Sequence, residues 1–186
     1  AFILERTIQN MREQTWRDWE LIIVDDCSQD DTEELVKRFN DPRIRYIKHE
    51  TNKGEAAARN TGLIYARGAL IANQDSDDLW DPRKLAEEVA LLSAAPQSVG
   101  GVYSQIKRTF RDGRVMYVPP PSAPKTEGNL FLEFLRGDFY ITSQALLVRK
   151  ECIEALNGFD ENLRLLNDAD FCIRFAKKYQ LLYNPH

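Results

Sequence analysis

Carboxylates gather where the sequence turns abruptly from apolar to acidic. Glu20-Leu21-Ile22-Ile23-Val24 runs into Asp25-Asp26, and Ala69-Leu70-Ile71-Ala72 is followed by Asp75-Ser76-Asp77-Asp78. Short apolar runs rich in branched residues read as buried parallel strands, so both acid groups stand at strand ends. In open α/β sheets, ligands bind outside the carboxyl ends of strands, near a switch in strand order. Carboxylates converging there repel one another, and a divalent cation or a ligand rich in hydrogen-bond donors relieves that cost. Asp75 and Asp77 are separated by one residue, so an extended backbone puts both on one face. Hard oxygen ligands suit Mg²⁺ or Mn²⁺, and a short carboxylate pair leaves room for substrate phosphates. The competing reading is a polar loop, with Asp78 and Asp81 capping a helix that starts at Pro82.

A further acid sits near the end of the chain. Asp168 precedes Phe171, Cys172, Phe175, Ala176 and Tyr179 at helical spacing, whereas Asp170 aligns with Arg174 and Lys177. An aspartate heading an apolar stripe is either a helix cap or a partly desolvated, functional carboxylate. Lys53 and Arg59 flank Gly54 at a helix start, a place suited to anion contacts, though surface charge is the simpler reading. His49 and His186 have no partners at metal-ligand spacing, and Trp16, Trp19 and Trp80 read as packing residues.

The elements that position these acids alternate through the first half. Helices are expected over 2–14, 32–39, 55–66 and 82–94, and strands over 20–24, 44–48 and 69–72. That alternation implies a doubly wound α/β sheet. Beyond it, 99–106 and 115–118 are expected to pair around Arg111-Asp112-Gly113-Arg114. Helices near 127–136, 150–156 and 168–179 and a strand near 144–149 complete the pattern. The 186 residues suit one domain. The opening Ala1-Phe2-Ile3-Leu4 enters a helix without a methionine, so the chain is expected to be truncated at its N-terminus.

Composition excludes several classes. Hydrophobic residues at 43% and charged residues at 29% give an ordinary globular balance. A net charge of −4 argues against nucleic acid as the main partner. Cys27, Cys152 and Cys172 are far apart with no paired spacing, which favours a reducing compartment. No stretch reaches the ~20 apolar residues of a membrane span.

Read together, the motifs resemble family 2 glycosyltransferases. The resemblance is carried by Gln14 to Ser28, by Asn52-Lys53-Gly54 with Ala58-Arg59-Asn60-Thr61-Gly62, by Asp75 to Trp80 with Pro82, and by Gly158-Phe159-Asp160-Glu161. They stand in the family's order and spacing over nearly the whole chain. The resemblance implies a single domain of GT-A (Rossmann-like) fold with a mixed, mainly parallel sheet flanked by helices, its nucleotide-binding half at about 1–95 and its acceptor and catalytic half at about 96–186. It also implies a nucleotide-diphosphate-sugar donor (a UDP-sugar foremost), Mn²⁺ or Mg²⁺, and inversion at the anomeric carbon. By motif matching, Asp26 recognises the nucleobase with Asp25 beside it, Lys53 and Arg59 contact the nucleotide, Asp75 lies near the ribose, Asp77 binds metal and Asp168 is the general base. Arg174 falls where a helix arginine follows that base.

Some positions depart from the family's pattern. Asn167 replaces the usual glutamate before the base, Cys27 replaces a glycine or other small residue, and the family's first strand has no counterpart before Ala1. No Gln-x-x-Arg-Trp motif of the processive synthases occurs, which favours single additions. The expected acceptor is a glycan or lipid-linked sugar in cell-envelope polysaccharide assembly. A cytoplasmic location fits it, at the membrane face where parts outside this chain provide peripheral attachment. Acceptor contacts are placed in the loop-rich 119–142 segment, at Phe139, Tyr140 and Thr142. Two other readings stand beside this one: an inactive nucleotide-binding scaffold, and a nucleotidyltransferase.

Overall fold

A computed structural model describes residues 2–123, 126–139 and 141–185. The first half runs α1 (Phe2–Glu13), β1 (Leu21–Asp25), α2 (Thr32–Arg38), β2 (Ile44–Lys48), α3 (Glu55–Tyr65), β3 (Leu70–Ala72) and α4 (Lys84–Ala94). These bounds follow the apolar periodicity, with one shift at α4. Pro82 stands two residues ahead of that helix, and Asp81 Oδ1 accepts the Arg83 N–H at 2.9 Å across the intervening turn. The second half holds β4 (Val99–Ser104), β5 (Ile106–Thr109), β6 (Val115–Val118), α5 (Phe131–Arg136), β7 (Leu146–Arg149), α6 (Lys150–Glu154), α7 (Asn167–Lys178) and β8 (Gln180–Asn184).

β1 and β2 pair in parallel, with Leu21 opposite Ile44 and Asp25 opposite Lys48. A second sheet has the order β3-β7-β4-β8. There β7 is antiparallel to both neighbours, while β4 and β8 are parallel. Leu21 to Val24 and Leu70 to Ala72 line one cleft of about 1130 Å³, and Arg59, Asp75, Ser76 and Asp77 line it too.

Two expectations change here. The expected 99–106 strand is broken at Gln105: Val99–Ser104 is buried at every position and belongs to the central sheet, and only Ile106–Thr109 pairs with Val115–Val118 around the expected turn. A strand buried along its length needs partners on both edges, which β7 and β8 supply. The second change is β8 itself, to which the sequence reading gave no element. After α7 the backbone at Tyr179 becomes extended, and Leu181, Leu182 and Tyr183 add to the β4 edge.

The apolar stripe of α7 packs as its spacing predicts, with Phe171, Cys172, Phe175 and Ala176 buried in the main core beside Tyr103, Leu146, Val148 and Leu181. Each large apolar side chain taken out of water there contributes about 1.5–3 kcal/mol. Close approach of α7 to β4 depends on Gly100, where a Cβ would lie 2.8 Å from Tyr179 Cβ and 2.9 Å from Phe175 Cζ.

Helix α4 carries a buried ion pair that meets the acidic loop at Trp80. Lys84 Nζ lies 2.6 Å from Glu88 Oε2 and 4.6 Å from the Trp80 ring centroid, and Ser104 Oγ donates to Glu88 Oε1 at 2.6 Å. Burial pushes the Lys84 amine down and the Glu88 carboxyl up, each toward its neutral form, and their contact opposes both shifts. Removing one partner of such a pair costs more than removing both. Lys84→Met is therefore expected to lose about 3–5 kcal/mol of unfolding free energy, and Lys84→Met with Glu88→Met to regain most of it, as read by urea denaturation.

Candidate functional site

The two strand-end acid groups meet at one place. Asp25, Asp26, Ser28, Asp30, Ser76 and Asp77 line a single pocket of about 460 Å³ that opens beside the larger cleft. Helix α1 holds one wall of it. Thr7 Oγ1 donates to the Ser76 carbonyl at 2.7 Å, Asn10 Nδ2 to the Trp80 carbonyl at 2.9 Å and Gln14 Nε2 to the Asp81 carbonyl at 2.8 Å. Thr7 and Asn10 share one face of α1 and Gln14 follows just past its end, so the acidic loop is stapled along the helix.

Asp25 and Asp26 are neighbours with different surroundings. Asp25 is buried; it accepts the Tyr46 hydroxyl and the Ser28 N–H (2.7 Å), with Lys48 Nζ at 3.8 Å. Burial alone would raise its carboxyl, and these contacts outweigh it and hold it below the usual range. Asp26 points into a turn that wraps it. Its Oδ1 accepts the Lys53 N–H at 2.8 Å and lies 2.7 Å from His49 Nδ1, and its Oδ2 accepts the Gly54 N–H at 2.7 Å. Those hydrogen bonds likewise overcome burial and lower it. Lys53 thus reaches Asp26 through its backbone, while its side chain is exposed. Gly54 takes φ 94°, a conformation that side chains rarely adopt. Cys27 occupies the left-handed region at φ 72°, which explains why a glycine suits that position.

His49, to which the sequence reading gave no role, bridges Asp26 and Thr61, with Nε2 2.9 Å from Thr61 Oγ1. The parallel register could have found it. Asp25 pairs with Lys48, so the next residue of each strand stands beside the other.

Arg59 is the junction between the acidic loop and the last helix. Its side chain is 9% exposed. Nη2 lies 3.1 Å from Asp75 Oδ1 and 2.5 Å from Glu55 Oε1, and Nη1 donates to Asn167 Oδ1 at 2.6 Å. The guanidinium also sits 5.3 Å from the Phe159 ring centroid. Asp75 is half-buried, and burial pushes its carboxyl up despite Arg59. Asp78 is raised as well, by burial and by the charge of Asp77, and it hydrogen-bonds the Gln144 side chain. Asp77 is exposed, and its carboxylate has no hydrogen bond or ion pair given by the described residues.

Asp168 stands one residue inside α7, which Leu166 enters in a left-handed conformation at φ 59°. It is half-buried, and its Oδ1 accepts the Ala169 N–H at 2.8 Å. Arg174 anchors the helix from below: it bonds Asp170 at 2.8 Å and donates to the carbonyls of Leu156 (3.0 Å) and Gly158 (3.1 Å). The turn at Gly158 is closed by Asn60, whose amide accepts the Phe159 N–H at 2.8 Å and donates to its carbonyl at 2.9 Å. Two of the sequence motifs are thereby joined through one side chain.

The acceptor candidates separate. Phe139 is buried in the core, 5.5 Å edge-on from Phe134 and 6.5 Å from Tyr103, and Tyr140 lies outside the described residues. Thr142 leads into a 3-10 turn (Ser143–Ala145), and Thr142 Oγ1, Ser143 Oγ, Gln144 Oε1 and Gln74 Oε1 are buried with no hydrogen-bond partner among the described residues.

Among the described residues, no three His, Cys, Asp or Glu side chains cluster closely enough to enclose a metal ion. An exposed Asp77 beside Asp75 and Asp78, both raised by burial, does fit a hard cation that shares its shell with substrate oxygens. No helix among the described residues is long and apolar enough to cross a membrane.

The profile of glycosyl transferase family 2 matches residues 3–155. The UDP-Glc:alpha-D-GlcNAc-diphosphoundecaprenol beta-1,3-glucosyltransferase WfgD of Escherichia coli is 42% identical over 89 residues, 48% of this chain and 35% of its own length. The amylovoran biosynthesis glycosyltransferase AmsB of Erwinia amylovora is 31% identical over 192 residues, 96% of this chain and 62% of its own. This chain therefore spans less than two thirds of those relatives. The mannosyltransferase PcManGT of Pyrobaculum calidifontis, solved with GDP-Man and Mn²⁺, superposes with a TM-score of 0.74 over 100% of this chain and 51% of its own, at 23% identity. At that identity the likeness speaks for the fold, which is GT-A. With the family profile covering most of its length, the chain belongs to glycosyl transferase family 2.

Proposed function

We propose that this chain is the donor-binding and base-bearing core of an inverting, metal-dependent transferase. It moves a sugar from a nucleotide-diphosphate sugar to a glycan or lipid-linked acceptor in cell-envelope polysaccharide assembly, at the cytoplasmic face of the membrane. The observation that carries this reading is the convergence of Asp26, Asp77 and their neighbours on one pocket, tied through Arg59 to the helix that bears Asp168.

The backbone and His49 occupy part of the Asp26 carboxylate, and a carboxylate has about four lone-pair sites. One remains to accept an N–H from a nucleobase. Asp25, tied to Tyr46 and Ser28, supports that turn from beneath. Asp75 faces the ribose, and its bond to Arg59 fixes its direction. Asp77 would hold the metal, with Asp78 the next residue along the loop. When bound there, a divalent cation supplies positive charge against the diphosphate leaving group.

The acceptor hydroxyl attacks the anomeric carbon on the face opposite the diphosphate. A carbon–oxygen bond forms to the acceptor as the bond to the diphosphate oxygen breaks, and Asp168 takes the hydroxyl proton. Thr142, at the entry to the 3-10 turn, is the acceptor candidate that stays partly accessible, while Phe139 serves the core. WfgD is named for a UDP-Glc donor and PcManGT was solved with GDP-Man, so a UDP-sugar is the first candidate and a GDP-sugar the second.

Thermal unfolding of the full-length protein with UDP, GDP, TDP or CDP, each with and without Mn²⁺, tests the donor reading. Ligand at ~100 times its dissociation constant stabilises by about 2.7 kcal/mol, or about 5–10 °C for a domain of this size. A metal-dependent shift with one nucleotide is expected, and Asp77→Asn is expected to abolish its metal-dependent part. No shift with any of them would favour a non-catalytic scaffold. Asp168→Asn is expected to lower kcat by about 10²–10⁴-fold while nucleotide binding stays within about twofold, read by transfer assay and calorimetry. Unchanged turnover would remove Asp168 from the base role.

A further inference from the structure

The amide of Asn167 is 2% exposed and immediately precedes Asp168. Arg59 Nη1 donates to its Oδ1 at 2.6 Å, and its own Nδ2 donates to Glu55 Oε2 at 3.3 Å. The other Glu55 oxygen meets Arg59 Nη2 at 2.5 Å, so Glu55, Arg59 and Asn167 close a ring. That same Nη2 reaches out of the ring to Asp75. An amide carries no charge, so the charge of this buried guanidinium is answered by two carboxylates, Glu55 and Asp75, which share Nη2.

The two carboxylates share Nη2, and Glu55 alone also reaches Asn167. Without Glu55, Nη2 keeps only Asp75, and the guanidinium is free to turn onto it and away from Asn167. Loss of that bond would loosen the first turn of α7, which the chain enters through a left-handed leucine of the kind held only by its surroundings. Glu55 itself is largely exposed, its side chain 57% accessible, and stands four residues before Arg59 on α3. Such a pair adds little to stability on its own. Its consequence lies in direction.

We infer that Glu55 is a positioning residue: its carboxylate fixes the Arg59 guanidinium between Asp75 and Asn167, and thereby fixes Asp168 relative to the donor-side acids. This rests on the roles proposed above for Asp75 and Asp168. Because the ring needs one carboxylate besides Asp75, that carboxylate can be moved. A glutamate at 167 would meet the same guanidinium at Nη1, where Asn167 now stands, and replace Glu55.

The test uses the full-length protein as wild type, Glu55→Gln, Asn167→Glu and the double variant. Two readouts are taken: steady-state kcat and KM, and rotation of the Arg59 guanidinium by nitrogen-15 NMR, its signal assigned with Arg59→Lys. Glu55→Gln is expected to lower kcat about tenfold, about 1.4 kcal/mol of barrier, with donor KM within about threefold. Its guanidinium should rotate faster. The double variant should recover most of kcat and the slow rotation, a non-additivity expected of groups in contact. Unchanged kcat and rotation in Glu55→Gln, or a double variant no better than that single one, overturns the inference. If the wild type transfers from no donor, the proposed function fails and the NMR arm alone decides: slow rotation lost and then restored supports the ring, and unaltered rotation refutes it.

Discussion

Like charges gathered at the ends of strands repel most strongly where water is scarce, and most of the site is arranged around meeting that repulsion. Asp25 and Asp26 are met by backbone N–H groups, a tyrosine hydroxyl and a histidine, which cost no extra charge. Asp75 is met by Arg59, a rigid fork that answers several acceptors at once where a lysine would present a point charge. Asp77 and Asp78 are the remainder, and burial and mutual repulsion leave Asp78 raised. Of these carboxylates, Asp77 is the one to which the described residues give no hydrogen bond or ion pair, and it lines the smaller pocket.

The fold supplies this arrangement through short connections that cross between elements. Helix α1 is tied by Thr7, Asn10 and Gln14 to the loop after β3, so the loop cannot drift from the β1 acids. Asn60 ties α3 to the Gly158 turn, and Arg174 ties that turn to α7. The chain of contacts therefore runs from the first helix to the last, by side chains that bond backbone at either end and by the Arg59–Asp75 pair between the loop and α3. Backbone partners fix position with little dependence on salt or pH, which suits parts that must hold a geometry.

Much of this was legible in the residues. The β1 run, the buried face of α7 and both strand-end acid groups follow from apolar periodicity and its abrupt ends. What was not legible depends on pairing between distant segments. The break at Gln105 is one residue long and leaves no compositional trace, so two strands read as one. His49 gains its meaning from the β1–β2 register, and β8 from an edge of β4 that no local pattern announces. Phe139 reads as a contact residue because its segment is rich in proline and glycine, yet Tyr103 and Phe134 enclose it. The Glu55–Arg59 spacing was readable on a helix, but the reach of both to Asn167, more than a hundred residues on, was not.

Gly100 gives the strand beneath α7 a flat spot on which Phe175 and Tyr179 rest. The twelve residues of α7 make a rod about 18 Å long, with Asp168 near one end and those aromatics toward the other. A methyl group at position 100 would fall within 3 Å of both aromatics, so this end of the rod could not keep its seat on the sheet. The helix that carries Asp168 thus lies as close to the sheet as it does because one strand position holds no side chain.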